Sequence, residues 1–320
     1  MIAFKVAPAL ATGNVIILKP SEKSPFSALR FASLVADIFP PGVIQVLSGT
    51  GVTGDLLARH PRIRKLSFTG SATTGRKIQS AAAESNLKRV TLELGGKTPA
   101  GIFDDCNLDN AVQWATNAIT NNTGQICIAA SRLYVQESIV DEFLKRFVKS
   151  VEATTSGIGD PNDPSTRYGP LADKAQLSRV QSFFTDDGGK TQVLTGGQRR
   201  GDQGCFFDPT VLYNPDSQAQ VYKNEIFGPV TCVRTFKDEE EFLQMANDSE
   251  YGLIAAVFTK DISRAMRVSR RLESGTVGVN CVTTLHYQTA FGGSKQSGVG
   301  RELGHWGLES YTEPKSILIK

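Results

Sequence analysis

The apolar positions of the first 94 residues fall into two rhythms. Val15–Leu18, Val43–Leu47, Lys65–Phe68 and Val90–Leu94 are short β-branched or leucine-rich runs, as strands buried on both faces are. Between them lie Pro25–Ile38, Thr53–His60 and Thr73–Ala83, which are longer and spaced as helices. Ser24 before Pro25 predicts an N-cap with proline in the first helical position. Alternation of this kind predicts an α/β fold, a doubly wound parallel sheet with right-handed crossovers. The run Met1–Ala11 loosely imitates a secretory leader with an A-x-A site, but Lys5 interrupts it and Val6–Ala11 is short for an apolar core. An amphipathic helix is the expected reading.

Beyond Lys97 the elements lengthen. Leu108–Asn121 and Ser138–Thr154 predict helices, Ser131–Val135 a strand, and Gly157–Pro170 a surface loop. Strand–helix alternation then runs to Asn280, and Phe291–Gly307 is too glycine-rich for a core element. Ser316–Lys320 predicts an exposed apolar strand, a liability unless another element or subunit covers it. The expected division is residues 1–95, residues 96–300 and a return segment, 301–320.

Composition narrows the classes of function. The 320 residues are 40% apolar and 21% charged, ordinary for a globular protein. A net charge of +3 without a basic run gives no reason to expect nucleic acid. No apolar stretch approaches the roughly 18 residues of a membrane span. Cys106, Cys127, Cys205, Cys232 and Cys281 form no C-x-x-C pair and no zinc-spaced cluster. No metal is expected, and a reducing, cytoplasmic setting is.

Two residues carry candidate chemistry. Cys127 follows Gly124-Gln125-Ile126 and is expected at the end of the Leu108–Asn121 helix. Glu93 stands between Leu92 and Leu94, where a carboxylate is costly to bury unless it faces a cavity; a solvent-facing strand end is the alternative. A thiol nucleophile and a carboxylate base suit a covalent acyl-transfer cycle. His60, His286 and His305 are scattered, which argues against a Cys-His protease. Glu225 reads unaided as a solvated turn residue. Two turns have the form of phosphate cradles: Gly49-Thr50-Gly51-Val52-Thr53-Gly54 and Gly70-Ser71-Ala72-Thr73-Thr74-Gly75. Either could aim backbone N–H groups at a pyrophosphate, and a plain tight turn explains either as well. The acidic ribose ligand expected after the first is missing, since Arg62 to Thr73 holds no Asp or Glu.

Together these motifs resemble the NAD(P)-dependent aldehyde dehydrogenase superfamily over nearly the whole chain. The likeness rests on Leu18-Lys19-Pro20-Ser21-Glu22, Phe68-Thr69-Gly70-Ser71, Leu92–Lys97, Gly124–Cys127, Glu225–Pro229 and Phe291-Gly292-Gly293-x-Lys295-x-Ser297-Gly298, in the family's order. It implies a cofactor domain over residues 1–95, incomplete at its N-terminus, an α/β catalytic domain over 96–300, and a C-terminal strand for homo-oligomerisation. It also implies that Cys127 attacks the aldehyde carbon to give a thiohemiacetal, that hydride passes to NAD, and that Glu93 activates water to hydrolyse the thioester. Lys19 and Glu22 resemble the pair on the adenosine ribose; Glu22 repels a 2′-phosphate, so NAD is expected over NADP. Gly70, Ser71 and Gly75 fall where the family meets the pyrophosphate. Gly51 and Gly54 are further cofactor candidates. Glu225 and Phe227 resemble contacts to the nicotinamide ribose and ring, and Gln176 a ribose contact. The partner is a small aldehyde, and apolar neighbours Ile126 and Ile128 favour an apolar one.

Family members begin well before Met1. By resemblance that earlier part carries the first cofactor-domain strand, a second arm strand and a Pro-Trp-Asn segment whose Asn completes the oxyanion hole. No residue here matches that Asn, and losing one such donor typically costs about 10²–10³ in rate. Two expectations stand side by side: a working aldehyde dehydrogenase, and a truncated, catalytically impaired chain acting as a fragment or assembly subunit.

Overall fold

The computed structural model describes residues 1–185 and 191–320. They divide into two compact units. The first holds Met1–Leu94, Leu285–Gly293 and Ser297–Lys320; the second holds Gly95–Thr284 and Ser294–Gln296.

The first unit alternates as the apolar pattern predicts: α1 (Ile2–Ala11), β1 (Ile16–Leu18), α2 (Phe26–Val35), β2 (Ile44–Val46), α3 (Gly51–Arg59), β3 (Lys65–Thr69), α4 (Ala72–Ser85) and β4 (Arg89–Glu93). β1 pairs parallel with β2, and β3 pairs parallel with β4. The ladders form two separate sheets, not one. Two helix expectations need correction. Ser24 does not cap α2; Pro25 occupies that place, without a side-chain bond, and its carbonyl accepts from Ala28 and Leu29. α2 also stops at Val35, short of Ile38, in a turn ahead of Pro40 and Pro41, where the residue before a proline is pushed out of the helical region. α1 buries Val6 and Ala9, tolerates Pro8, and ends where the Thr12 hydroxyl donates to the Pro8 carbonyl at 2.7 Å.

The second unit is built on a seven-stranded sheet. Its elements are β5 (Pro99–Ile102), α5 (Leu108–Thr120), β6 (Arg132–Gln136), α6 (Val140–Thr154), α7 (Lys174–Thr185), β7 (Gln192–Thr195), β8 (Thr210–Tyr213), α8 (Gln220–Lys223), β9 (Val230–Phe236), α9 (Glu239–Asn247), β10 (Tyr251–Gly252), β11 (Ile254–Phe258), α10 (Ile262–Arg271) and β12 (Thr276–Val279). The strand order is β12-β11-β5-β6-β9-β8-β7, parallel except for the β7 edge. Successive side chains of a strand point to opposite faces. On β6, Leu133 and Val135 join one core with Ile102, Phe143 and Phe147, while Tyr134 joins the other with Phe103, Phe236 and Phe242. Asn107, Asp238 and Asp261 cap α5, α9 and α10 by accepting first-turn N–H groups, the role short polar side chains favour.

Phe291–Gly307 is less irregular than its glycines suggest. It contains β13 (Ser294–Lys295), β14 (Gly298–Val299) and the start of α11 (Gly304–Glu309). β14 runs antiparallel to β4 with Gly298 opposite Glu93, and Ser297 is fully buried. Ser316–Lys320 is exposed as expected but joins no ladder among the described residues, because a strand exists only where backbone groups find a partner.

Candidate active site

Cys127 is not at the end of α5. That helix stops at Thr120, and a turn over Asn121–Gly124 leads into the half-buried cysteine. Asn122, Thr123 and Gly124 all take left-handed backbone angles, with φ of 50°, 56° and 66°. Such a run is unfavourable for a β-branched residue and natural for glycine. Side chains hold it in place. The Thr123 hydroxyl donates to the Gly169 carbonyl at 2.8 Å, and the Ala172 N–H donates to Gln125 Oε1 at 2.8 Å. A Cβ on Gly124 would collide with the Gly228 carbonyl, and one on Gly96 with the Cys127 carbonyl. The backbone around Cys127 is thus enclosed by the segments before β5 and before β9.

The same segments place Glu225. The Gly96 N–H donates to its Oε1 at 3.0 Å. Phe227, with φ of 58° and 39% exposed, follows in the same loop. From α7, Gln176 donates to the carbonyls of Ile226 (3.1 Å) and Phe227 (2.8 Å), and Arg179 to that of Glu225 (2.9 Å). Here Gln176 supports the loop. A narrow cleft lined by Gly96, Gly124, Ile126, Ala129, Glu225 and Phe227 adjoins Cys127. Ile126 lines it, whereas Ile128 is buried. A larger cavity of about 450 Å³ in this unit lies between Phe103, α9 and α10 and carries ion pairs, not a nucleophile.

In the first unit Glu93 is 1% exposed at the end of β4, so the solvent-facing alternative does not hold. Its carbonyl accepts from the Gly70 N–H at 3.1 Å, which ties it to the turn opening α4. Ser71 caps that helix by accepting from Thr74, and Gly70 and Ser71 are exposed. Gly75, one turn into that helix, is buried, where a Cβ would come within 2.8 Å of Leu94. Lys19 follows β1; its ammonium donates to the carbonyls of Pro20 and Gly49 at 2.8 Å and stands 3.9 Å from the Glu22 carboxylate. A Cβ on Gly54 would meet Lys19 Cε at 3.8 Å, and one on Gly51 would point into open space. Val52 and Leu56, one turn apart on α3, are 71% and 65% exposed. A donor, an exposed carboxylate, a helix start and an apolar face fit an adenosine group carrying phosphate.

Two polar clusters escaped the sequence. In the first unit the Lys5 ammonium bonds the buried Glu302 carboxylate and the Ser67 hydroxyl. Beside it, Lys65 bonds Thr91 and lies 5.4 Å from the Tyr311 ring centre. Burial, with Arg89 and Lys5 adding and Glu302 opposing, pushes Lys65 down to about 8, and burial pushes Tyr311 up to about 12. In the second unit the buried Lys97 donates to the Val221 carbonyl at 2.7 Å, and Arg132 spans the carbonyls of Lys97, Met245 and Ala246. The available signal was a lone charge in an apolar setting, Lys5 among the residues of α1 and Arg132 at the head of β6.

Residues 1–317 match the aldehyde dehydrogenase family. An aldehyde dehydrogenase of Davidiella tassiana is 47% identical across all of this chain, and retinal dehydrogenase 2 of Gallus gallus 46%. The chain spans 65% and 62% of the lengths of these relatives. Among solved structures, an indole-3-acetaldehyde dehydrogenase complexed with NAD+ superposes with a TM-score of 0.97 at 40% identity, over all of this chain and 66% of that one. Betaine aldehyde dehydrogenase of Staphylococcus aureus in complex with NAD+ gives 0.92 at 40% identity, over 97% of this chain and 62% of that one. With its α/β architecture and these matches, the chain belongs to the aldehyde dehydrogenase family.

Proposed function

We propose that this chain oxidises an aldehyde to a carboxylic acid with NAD, using Cys127 as nucleophile and Glu93 as base. The carrying observation is the half-buried Cys127, which follows a left-handed turn packed against the loop that bears Glu225. Cys127 Sγ attacks the aldehyde carbon and forms a carbon–sulfur bond, giving a thiohemiacetal. When bound, NAD supplies the hydride acceptor; the adduct gives up its C–H hydride and its hydroxyl proton and becomes a thioester. Glu93 then takes a proton from water, whose oxygen attacks the thioester carbon, and the carboxylic acid leaves as the thiol is restored. Lys19 and Glu22 hold the adenosine ribose hydroxyls, with Glu22 disfavouring a 2′-phosphate, and the exposed helix starts at Gly51 and Ser71 offer N–H groups to the pyrophosphate. Glu225 and Phe227 meet the nicotinamide half, and Gln176 fixes their loop.

Ile126 in the cleft supports an apolar aldehyde. The exposed Ile317, Leu318 and Ile319 support self-association through the C-terminal segment. The test is NADH absorbance from the purified chain with NAD and a panel of aldehydes. NADH should form, and Cys127→Ala should lower the rate by about 10⁵-fold, as removing a nucleophile does. A folded chain that forms no NADH with any aldehyde overturns the reading.

A further inference from the structure

We infer that Lys97 is a positioning residue for the cofactor site: it sets where the Glu225 carboxylate stands. The inference rests on the proposal that Glu225 meets the nicotinamide half of NAD. Lys97 is 2% exposed, and a buried ammonium is costly unless something nearby uses its charge. Its Nζ donates to the Val221 carbonyl at 2.7 Å, inside α8. That helix ends at Lys223, and Glu225 lies in the loop that follows. The preceding residue, Gly96, donates its N–H to the Glu225 carboxylate itself at 3.0 Å. Two consecutive residues therefore grip both the carboxylate and the helix leading to it. They cannot drift, because the Lys97 carbonyl accepts from Arg132 Nε at 2.9 Å, and Arg132 is anchored in turn to the Met245 and Ala246 carbonyls.

The charges around the ammonium give the arrangement a pH dependence. Arg132 on β6, the Cys232 thiol on β9 and the Glu225 carboxylate act on it electrostatically. The Cys232 thiol shares the Val221 carbonyl at 3.4 Å. Arg132 donates to the Tyr134 hydroxyl at 3.0 Å, which is joined to the Tyr222 hydroxyl by a 2.6 Å hydrogen bond. Burial pushes Lys97 down to about 8, with Arg132 adding and Cys232 and Glu225 opposing. Below that pH Lys97 attracts the Glu225 carboxylate; above it the attraction is gone.

The experiment measures the Kd of NAD by fluorescence titration from pH about 7 to about 9.5, with AMP as a ligand lacking the nicotinamide riboside. For the unmodified chain, Kd for NAD should rise roughly three- to tenfold through pH about 8, the span of half to one unit of coupling. AMP should show no such step. Glu225→Gln should abolish the step. Lys97→Met should weaken NAD at neutral pH by a similar factor, without a step, and should add nothing in the Glu225→Gln background. A step that persists in Glu225→Gln, or losses that add in the double variant, overturns the inference. If Lys97→Met does not fold, the unmodified and Glu225→Gln chains still decide it. If AMP binds and NAD gains nothing over it at any pH, the Glu225 reading fails and the inference with it.

Discussion

Glu93 and Cys127 are held in place by opposite means. Glu93 ends a regular strand, with Thr69 opposite it on one side and Gly298 on the other. Its backbone needs no unusual angle, and its carbonyl still serves the Gly70 N–H. Cys127 follows three consecutive left-handed residues and depends on Thr123, Gln125 and the close approach of Gly96 and Gly228. A ladder fixes Glu93 and an irregular backbone fixes Cys127. Side-chain chemistry at the first position can therefore change without disturbing the fold, whereas small backbone changes near the second should propagate.

The largest effect that tests this contrast is Glu93→Gln. Steady-state turnover should fall roughly 10²–10⁴-fold, the usual contribution of a general base. A single-turnover burst of NADH should survive, with the urea midpoint little changed. Loss of the burst would place Glu93 before hydride transfer. Gly124→Ala should act the other way round. It forces a Cβ onto the Gly228 carbonyl in a left-handed conformation and should lower stability by about 2–4 kcal/mol, together with NADH formation. Unchanged denaturation would show that the turn yields more easily than its contacts imply.

The smallest effect sets one lysine in each unit, the half-buried Lys65 and the buried Lys97, against the solvent. Lys65 and Lys97 are pushed from 10.5 to about 8 in the folded chain. Between those values the unfolded chain binds more protons, so stability rises with pH. Cys106, raised by burial from 9.0 to about 11, and Tyr311, raised from 10.0 to about 12, oppose the trend at higher pH. The gain is thus clearest from pH about 8 to 9, on the order of 1–2 kcal/mol. Urea midpoints at those two pH values measure it; a falling midpoint would mean that the lysines keep their protons.

This contrast also explains what could be read from sequence. The runs at Val15, Val43, Lys65 and Val90 gave away their strands because short β-branched or leucine-rich runs mark them even where, as in β1 and β2, burial is only partial. Glu93 stood out as the exception within one of them. The turn before Cys127 left only a glycine as a trace, since Thr123 is an unusual choice for a left-handed residue and its cost is offset by a hydrogen bond to distant Gly169. Lys5 with Glu302 and Lys97 with Val221 were illegible for the same reason. Their partners lie 297 and 124 positions away, and no local pattern encodes such pairing. The close packing of Gly75 on Leu94 left no trace in the sequence beyond a glycine in a turn-like spacing.

The short strand β14 has a consequence for how the molecule is made. Gly298 pairs with Glu93 across 205 positions (298 − 93 = 205), a contact that closes only after every residue between has left the ribosome. Domains generally form as units during synthesis, and contacts of such long range form late. The second unit, nearly continuous from Gly95 to Thr284, can complete its sheet while the first still lacks an edge strand. Glu93 would then be among the last groups to reach its final setting, and a nascent chain would display Cys127 before Glu93 is in place.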